Sequence, residues 1–233
     1  MAWVVGVDGC HAGWFAVLRN SDSGEIRYHR PFPHISEVVD TAEKPLIIAV
    51  DIPIGLLDCA QRGGRSCDKE ARTLLGHHRA RSVFSPPVRA ALRHLEYESA
   101  LEANRASSPD GVGISKQCFA LFAKIRQVDK WLGAERQTRI MEVHPELCFL
   151  KMKGGVSLSP GKKKRQGLNE RLNLLAEEGF SQVIESAKRE TLRRDVGEDD
   201  ILDACAACWT AGRIFMNQAC CVPNEGVGPK IWF

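Results

Sequence analysis

Five carboxylates in this chain stand where an apolar run ends or a helical run begins. Asp8 closes the first apolar run in VGVDGCHAGW, Asp51 closes LIIAVDIPIG, and Glu142 closes the shorter run in IMEVHPEL. Asp200 and Asp203 lie three residues apart at the start of the last helical stretch, a spacing that puts both on one helix face. Ligand crevices of open α/β sheets form at strand ends. Carboxylates converging there repel one another unless a cation neutralises them, and hard oxygen donors suit Mg²⁺ or Mn²⁺. Each acid also has a structural reading. Asp8-Gly9 is a turn signature, and Asp51 can cap its strand end. Asp199 is placed as a helix N-cap, with Asp200 in the first turn beside it. Asp203 faces an Ala/Cys-rich helix, where an unpaired carboxylate would be costly.

His144 follows Glu142 and precedes Pro145. An imidazole there can carry a proton near neutral pH, or it can be a hydrogen-bonded histidine at a Pro-containing strand end. Two basic groups could meet phosphates without reading sequence. Arg72, Arg79, Arg81 and Arg89 form one, and Lys162, Lys163, Lys164 and Arg165, following Gly161, form the other. The KKKR run also fits a solvated loop. Phe84 and Trp131 could stack on bases, with a core role the alternative, favoured for Trp131.

The elements that must hold these residues can be read from pattern. Trp3 to Asp8, Trp14 to Arg19 and Glu25 to Arg30 read as three antiparallel strands joined by turns at Gly9 to Gly13 and Asn20 to Gly24. Ile35 to Glu43 has helical spacing and closes at Lys44-Pro45. Leu46 to Val50 is continuously apolar, the pattern of a strand buried on both faces. Residues 59 to 135 interrupt this rhythm as an Arg-rich, mainly helical insertion, with an amphipathic helix from Ser115 to Leu132 stopped at Gly133. Arg139 to Val143 is a short strand. Two helices follow the Gly/Lys-rich stretch from Lys153 to Gly167, the second starting near Asp199 and running towards Met216. The order describes a mixed sheet of α/β class in a single domain spanning 1–233.

The 233 residues carry 32 Lys+Arg against 29 Asp+Glu, a formal charge of +3. That excludes a strongly basic nucleic-acid-coating protein and an acidic tail protein, while leaving a local basic patch open. No run approaches the roughly 18 apolar residues of a membrane span. The N-terminus lacks a basic region and is broken by Asp8, so it does not read as a signal peptide. Nine irregularly spaced cysteines are then expected to be reduced thiols in the cytoplasm. Cys205 and Cys208 read as small buried residues rather than a zinc pair.

The motifs GVDGCHAGW, AVDIPIGL, CDKEAR, RSVFSPPVR, ISKQ, KIRQVD, MEVHPEL and GEDDILDACAACWTAGR, in that order, resemble a bacterial and archaeal family known as domain of unknown function 429. Its members are described as predicted nucleases of RNase H fold. The resemblance covers nearly the whole chain and implies an RNase H-like core, a five-stranded mixed sheet flanked by helices. The acidic pattern looks most like that of RuvC-type resolvases. Asp8 matches their first-strand acid, Asp51 the acid ending the fourth strand, and Asp200 with Asp203 the D-x-x-D-A pair of the last helix. Glu142 belongs instead to the family's EVHPE motif, as an extra ligand or a partner for His144. The resemblance implies two-metal phosphodiester hydrolysis. Asp8 would bridge two Mg²⁺ or Mn²⁺ ions, completed by Asp51, Asp200 and Asp203, with nucleic acid of unspecified type as partner. Two other readings stay open: a nucleotide phosphotransferase or ATPase of the actin-like superfamily, through Asp8-Gly9, and a non-catalytic nucleic-acid-binding or regulatory module. Oligomeric state is open, a homodimer included.

Overall fold

A computed structural model describes residues 1–132, 139–158 and 165–233. The chain opens with β1 (Trp3–Cys10), β2 (Gly13–Asn20) and β3 (Ile26–Phe32), then α1 (Ile35–Val39) and β4 (Ile47–Val50). The helices α2 (Ser66–Arg79), α3 (Tyr97–Ala106), α4 (Lys116–Ala120) and α5 (Phe122–Trp131) separate β4 from β5 (Ile140–Glu142). After β5 come α6 (Pro145–Met152), α7 (Arg165–Glu177), α8 (Ser181–Glu190) and α9 (Glu198–Phe215), then the short antiparallel pair β6 (Cys221–Val222) and β7 (Ile231–Trp232).

Five strands form one sheet in the order β3-β2-β1-β4-β5. The hairpin contacts β3-β2-β1 are antiparallel, and β4 and β5 add in parallel. The fold is therefore a mixed five-stranded sheet flanked by helices, of α/β class. β1 is central and covered on both sides, which explains its nearly unbroken apolar sequence. Alternation divides it: Val4, Gly6 and Asp8 face one helical layer, and Trp3, Val5 and Val7 the other. Val4, Phe15, Val17 and Ala49 pack with Phe149, Phe180 and the apolar residues of α9. Val5, Val7, Trp14, Leu18 and Val50 pack with Ile35, Phe122, Ile125 and Val128 from α1 and α5.

The structure departs from the pattern reading in several places. The helix expected over 115–132 breaks at Leu121 into α4 and α5, with the Ser115 hydroxyl accepting the Cys118 N–H at its start. The helix expected over 35–43 ends at Val39. Between the Gly/Lys-rich stretch and Asp199, where one helix is expected, lie α7 and α8; α6, ahead of that stretch, is not anticipated, and β6 and β7 carry no readable strand pattern. The helix stop at Gly133 falls outside the described residues. No described helix is long and apolar enough to cross a membrane.

Candidate functional site

The acid positions are set by how α9 lies on β1. A Cβ added to Gly6 would sit 1.9 Å from the Cys208 nitrogen and 2.3 Å from the Ala204 carbonyl oxygen, so helix and strand meet there with no side chain between them. The direction of α9 follows from its ends. The Ala12 N–H beyond β1 bonds the Asp195 carbonyl just before the helix at 3.0 Å. At the other end, Ile214 and Phe215 share a cavity with Ile47, at the start of β4. The N-terminus of α9 therefore lies over the C-terminal strand ends. Asp8 is two strand residues, about 6.6 Å, beyond Gly6 on the same face. Asp203 immediately precedes Ala204 and Asp200 lies one helical turn before it, so both stand towards the same edge.

Asp51 joins them through register. Val7 pairs with Val50 in the parallel β1–β4 ladder, and the Asp51 N–H bonds the Val7 carbonyl at 3.0 Å. Asp51 thus continues β4 beside Asp8, on the face that carries Ala49. The electrostatics agree with this grouping. Burial raises the Cys10 thiol pKa, and both Asp200 and Asp8 add to that rise. Burial likewise pushes the Cys148 thiol to about 12, with contributions from Asp51 and Asp203. Asp8 and Asp203 are buried, Asp200 and Asp51 half-buried.

Two of these acids also have backbone partners. Asp8 Oδ1 accepts the Gly9 N–H at 2.7 Å, and Asp200 Oδ2 accepts the Gly197 N–H at 2.8 Å. The N-cap of α9 is Gly197, so Asp199 is helical rather than a cap. The donor set, carboxylate oxygens only, is the chemistry a hard divalent cation takes. Among the described residues, no three His, Cys, Asp or Glu side chains are already gathered at a common point able to hold a metal ion.

His144 is the N-cap of α6. Its Nδ1 accepts the Glu146 N–H at 3.3 Å, which leaves the proton on Nε2, 3.3 Å from the Ser82 carbonyl. Burial lowers its pKa below 6.5, partly opposed by the Ser82 hydrogen bond and by Glu146, Asp203 and Glu142. The ring is a neutral capping group beside the acid edge.

Glu142 stands apart from the four aspartates. It pairs in register with Val50 and shares that residue's face, opposite to Asp8 and Asp51. Its carboxylate forms a two-bond pair with the buried Arg65, Nη2–Oε1 at 2.6 Å and Nη1–Oε2 at 2.7 Å. Arg65 also holds Asp68 at 2.7 Å. Glu142 Oε2 accepts the Ile54 N–H and Arg65 Nη1 donates to the Ile54 carbonyl, so this cluster clamps the loop that leaves Asp51.

The basic residues divide. Arg72 donates to the Val83 and Gly63 carbonyls and to Ser85 Oγ, bracing the RSVFSPP loop. Arg79 is buried, donating to the Leu158 carbonyl beside Glu146. Arg89 pairs with Asp129 at 2.9 Å. Arg81 is exposed next to Ser82 and so flanks His144, and Arg165 is exposed at the start of α7. Gly161 and Lys162, Lys163 and Lys164 fall outside the described residues. Phe84 and Trp131 are partly buried against the core on the α5 side. Cys205 and Cys208 are buried free thiols in α9.

Sequence reasoning missed two buried ion clusters, Arg65–Asp68–Glu142 and Arg171–Glu146–Arg79. A glutamate ending a buried strand needs a buried cation, and Arg65, three residues before Asp68 in GGRSCDKEAR, was the available signal. A family model described as protein of unknown function (DUF429) matches residues 6–226. No curated protein and no solved structure matches the chain.

Proposed function

The chain belongs to the DUF429 family, and from that premise we propose that it is a metal-dependent nuclease of RNase H-like fold, hydrolysing phosphodiester bonds at the edge where β1, β4 and α9 meet. The observation that carries this reading is the adjacency of Asp8 and Asp51 on neighbouring parallel strands, with the Asp200–Asp203 turn of α9 over the same ends. The mixed five-stranded sheet flanked by helices is consistent with the RNase H-like core that the family resemblance implies.

Asp8, Asp51, Asp200 and Asp203 would hold Mg²⁺ or Mn²⁺. When bound, a divalent pair of this kind activates water and stabilises the leaving oxygen. The chain's own contributions can be assigned atom by atom. Asp8 Oδ1 is steadied by the Gly9 N–H and Asp200 Oδ2 by the Gly197 N–H, which fixes two carboxylates before any ligand arrives. Arg65 and Glu142 hold both polar backbone groups of Ile54, three residues past Asp51, and so set the path of that loop. His144 keeps its proton on Nε2 against the Ser82 carbonyl, and Arg81 offers a cation beside it for a phosphate.

Calorimetric titration with Mn²⁺ tests the reading. Binding at millimolar or tighter concentration is expected, lost in Asp8→Asn and weakened in Asp51→Asn. A folded protein that takes up no Mn²⁺ at millimolar concentration contradicts it.

A further inference from the structure

The opposite end of α9 carries a second polar site that the nuclease reading does not use. A cavity of about 260 Å³ opens between the β2–β3 turn and the C-terminal turns of α9, lined by Arg19, Asn20, Glu178, Trp209, Arg213 and Gln218 among others. Two half-buried guanidinium groups face it, and neither is ion-paired with a described carboxylate. Both lie against aromatic rings, Arg213 at 4.8 Å from the Trp209 ring centre and Arg19 at 5.9 Å from that of Phe180, and Arg213 Nη2 also donates to the Gln218 carbonyl. Such stacking fixes a guanidinium while leaving N–H groups for an oxyanion.

Two residues of the wall also carry buried donors without a partner among the described residues. Asn20 is 1% exposed, and its Oδ1 accepts the backbone N–H groups of Asp22 and Ser23 at 2.9 and 3.1 Å. Those two bonds fix which way the amide points, and Nδ2 is left without an acceptor. Arg213 Nε is buried and equally unmatched. A buried donor without an acceptor is uncommon and costly, and two at one cavity, beside two cations, call for a ligand rich in acceptors. The carbonyls at the C-terminus of α9 do not oppose this strongly. Asn217, at φ 56°, turns the chain so that the Gln218 N–H caps the Arg213 carbonyl and the Asn217 N–H caps that of Ile214.

We propose that this cavity binds a small phosphate-bearing ligand, its oxygens accepting from Asn20 Nδ2 and from the Arg19 and Arg213 guanidinium groups. Two cations against the single Glu178 carboxylate leave the pocket net positive, and its volume suits a phosphate or a compact phosphate ester. The site is separate from the acidic edge and needs no metal, so its test does not depend on catalysis.

The experiment is calorimetric titration of the metal-free protein with inorganic phosphate, and in parallel with a short single-stranded oligonucleotide lacking terminal phosphates. Asn20→Asp keeps both turn hydrogen bonds but puts a charged acceptor where the free donor was, and Arg213→Gln removes one cation. Saturable phosphate binding is expected, weakened at least tenfold in Asn20→Asp and in Arg213→Gln, with both variants still melting in one cooperative transition. Absence of phosphate binding by the wild-type chain, as when ordered water alone meets the donors, would overturn the proposal. Binding indifferent to both substitutions would do so too. Oligonucleotide binding that depends on Asn20 while phosphate fails to bind would assign the pocket to a nucleic-acid backbone and overturn the small-ligand form.

Discussion

Asp8, Asp200 and His144 carry a structural duty at the acid edge as well as a proposed chemical one, and the two can be separated by substitution. Asp200 accepts the N-terminal N–H of its own helix through one oxygen, so Asp200→Asn should lose metal binding while also loosening the start of α9. Asp203→Asn, further inside α9, should likewise weaken metal uptake in the same Mn²⁺ titration. His144 gives a pH prediction. Burial holds its folded pKa below the ordinary 6.5, so the unfolded chain binds the proton first as the pH drops. Its neutral form therefore stabilises the fold fully above pH 6.5, and that stability is lost as the pH falls from 6.5 through the lowered folded value. His144→Asn keeps an acceptor for the Glu146 N–H and should remove this segment of the pH–stability curve, read by urea unfolding between pH 5 and 7.5. An unchanged curve would show that His144 does not titrate in this way.

At the scale of elements, the contact between β1 and α9 is the least tolerant. Gly6→Ala would put a methyl carbon within 1.9 Å of helix backbone that cannot withdraw. Loss of about 3 kcal/mol or more is expected in urea unfolding, together with displacement of Asp200 and Asp203 from Asp8. The clamp on the Asp51 loop is the other vulnerable junction. Arg65→Met leaves Glu142 and Asp68 buried without their cation, a change that costs about 3–5 kcal/mol when one partner of a buried pair is removed. Adding Glu142→Met and Asp68→Leu should recover a substantial part of that loss. The sequence made the strands β1, β2 and β4 legible because their apolar runs and flanking turns are local signals. It could not show that Glu142 turns to the other face of the sheet, because face depends on register against β4. Nor could it show the break at Leu121, where the heptad-like apolar spacing runs on unaltered while the backbone does not. The tract expected to hold one helix before Asp199 holds two, α7 and α8, and α6, ahead of the Gly/Lys-rich stretch, escaped notice because it is short, buried nearly all round and shows no periodic stripe.

For the whole molecule, a near-neutral sum conceals a divided distribution: four aspartates on one sheet edge, buried arginines consumed by internal carboxylates, and two stacked arginines at the far end of α9. Of the basic side chains that looked free in the sequence, Arg72, Arg79 and Arg89 are engaged within the fold, which is why a charge count could not locate a phosphate-facing surface. Metal should stabilise the chain as a whole. Mn²⁺ at a hundred times its dissociation constant adds about 2.7 kcal/mol, or roughly 5–10 °C in melting temperature for a chain of this size, and Asp8→Asn should abolish the shift. The central claim is tested most directly by cleavage of labelled single-stranded, duplex, hybrid and branched nucleic acids with Mg²⁺ or Mn²⁺, comparing wild type with Asp8→Asn and Asp203→Asn. The account predicts divalent-dependent cleavage of at least one substrate by the wild-type chain, reduced at least about 100-fold in each variant, equivalent to roughly 2.7 kcal/mol of transition-state stabilisation. Cleavage retained in full by both variants, or absent from the wild-type chain on every substrate with either metal, would contradict it.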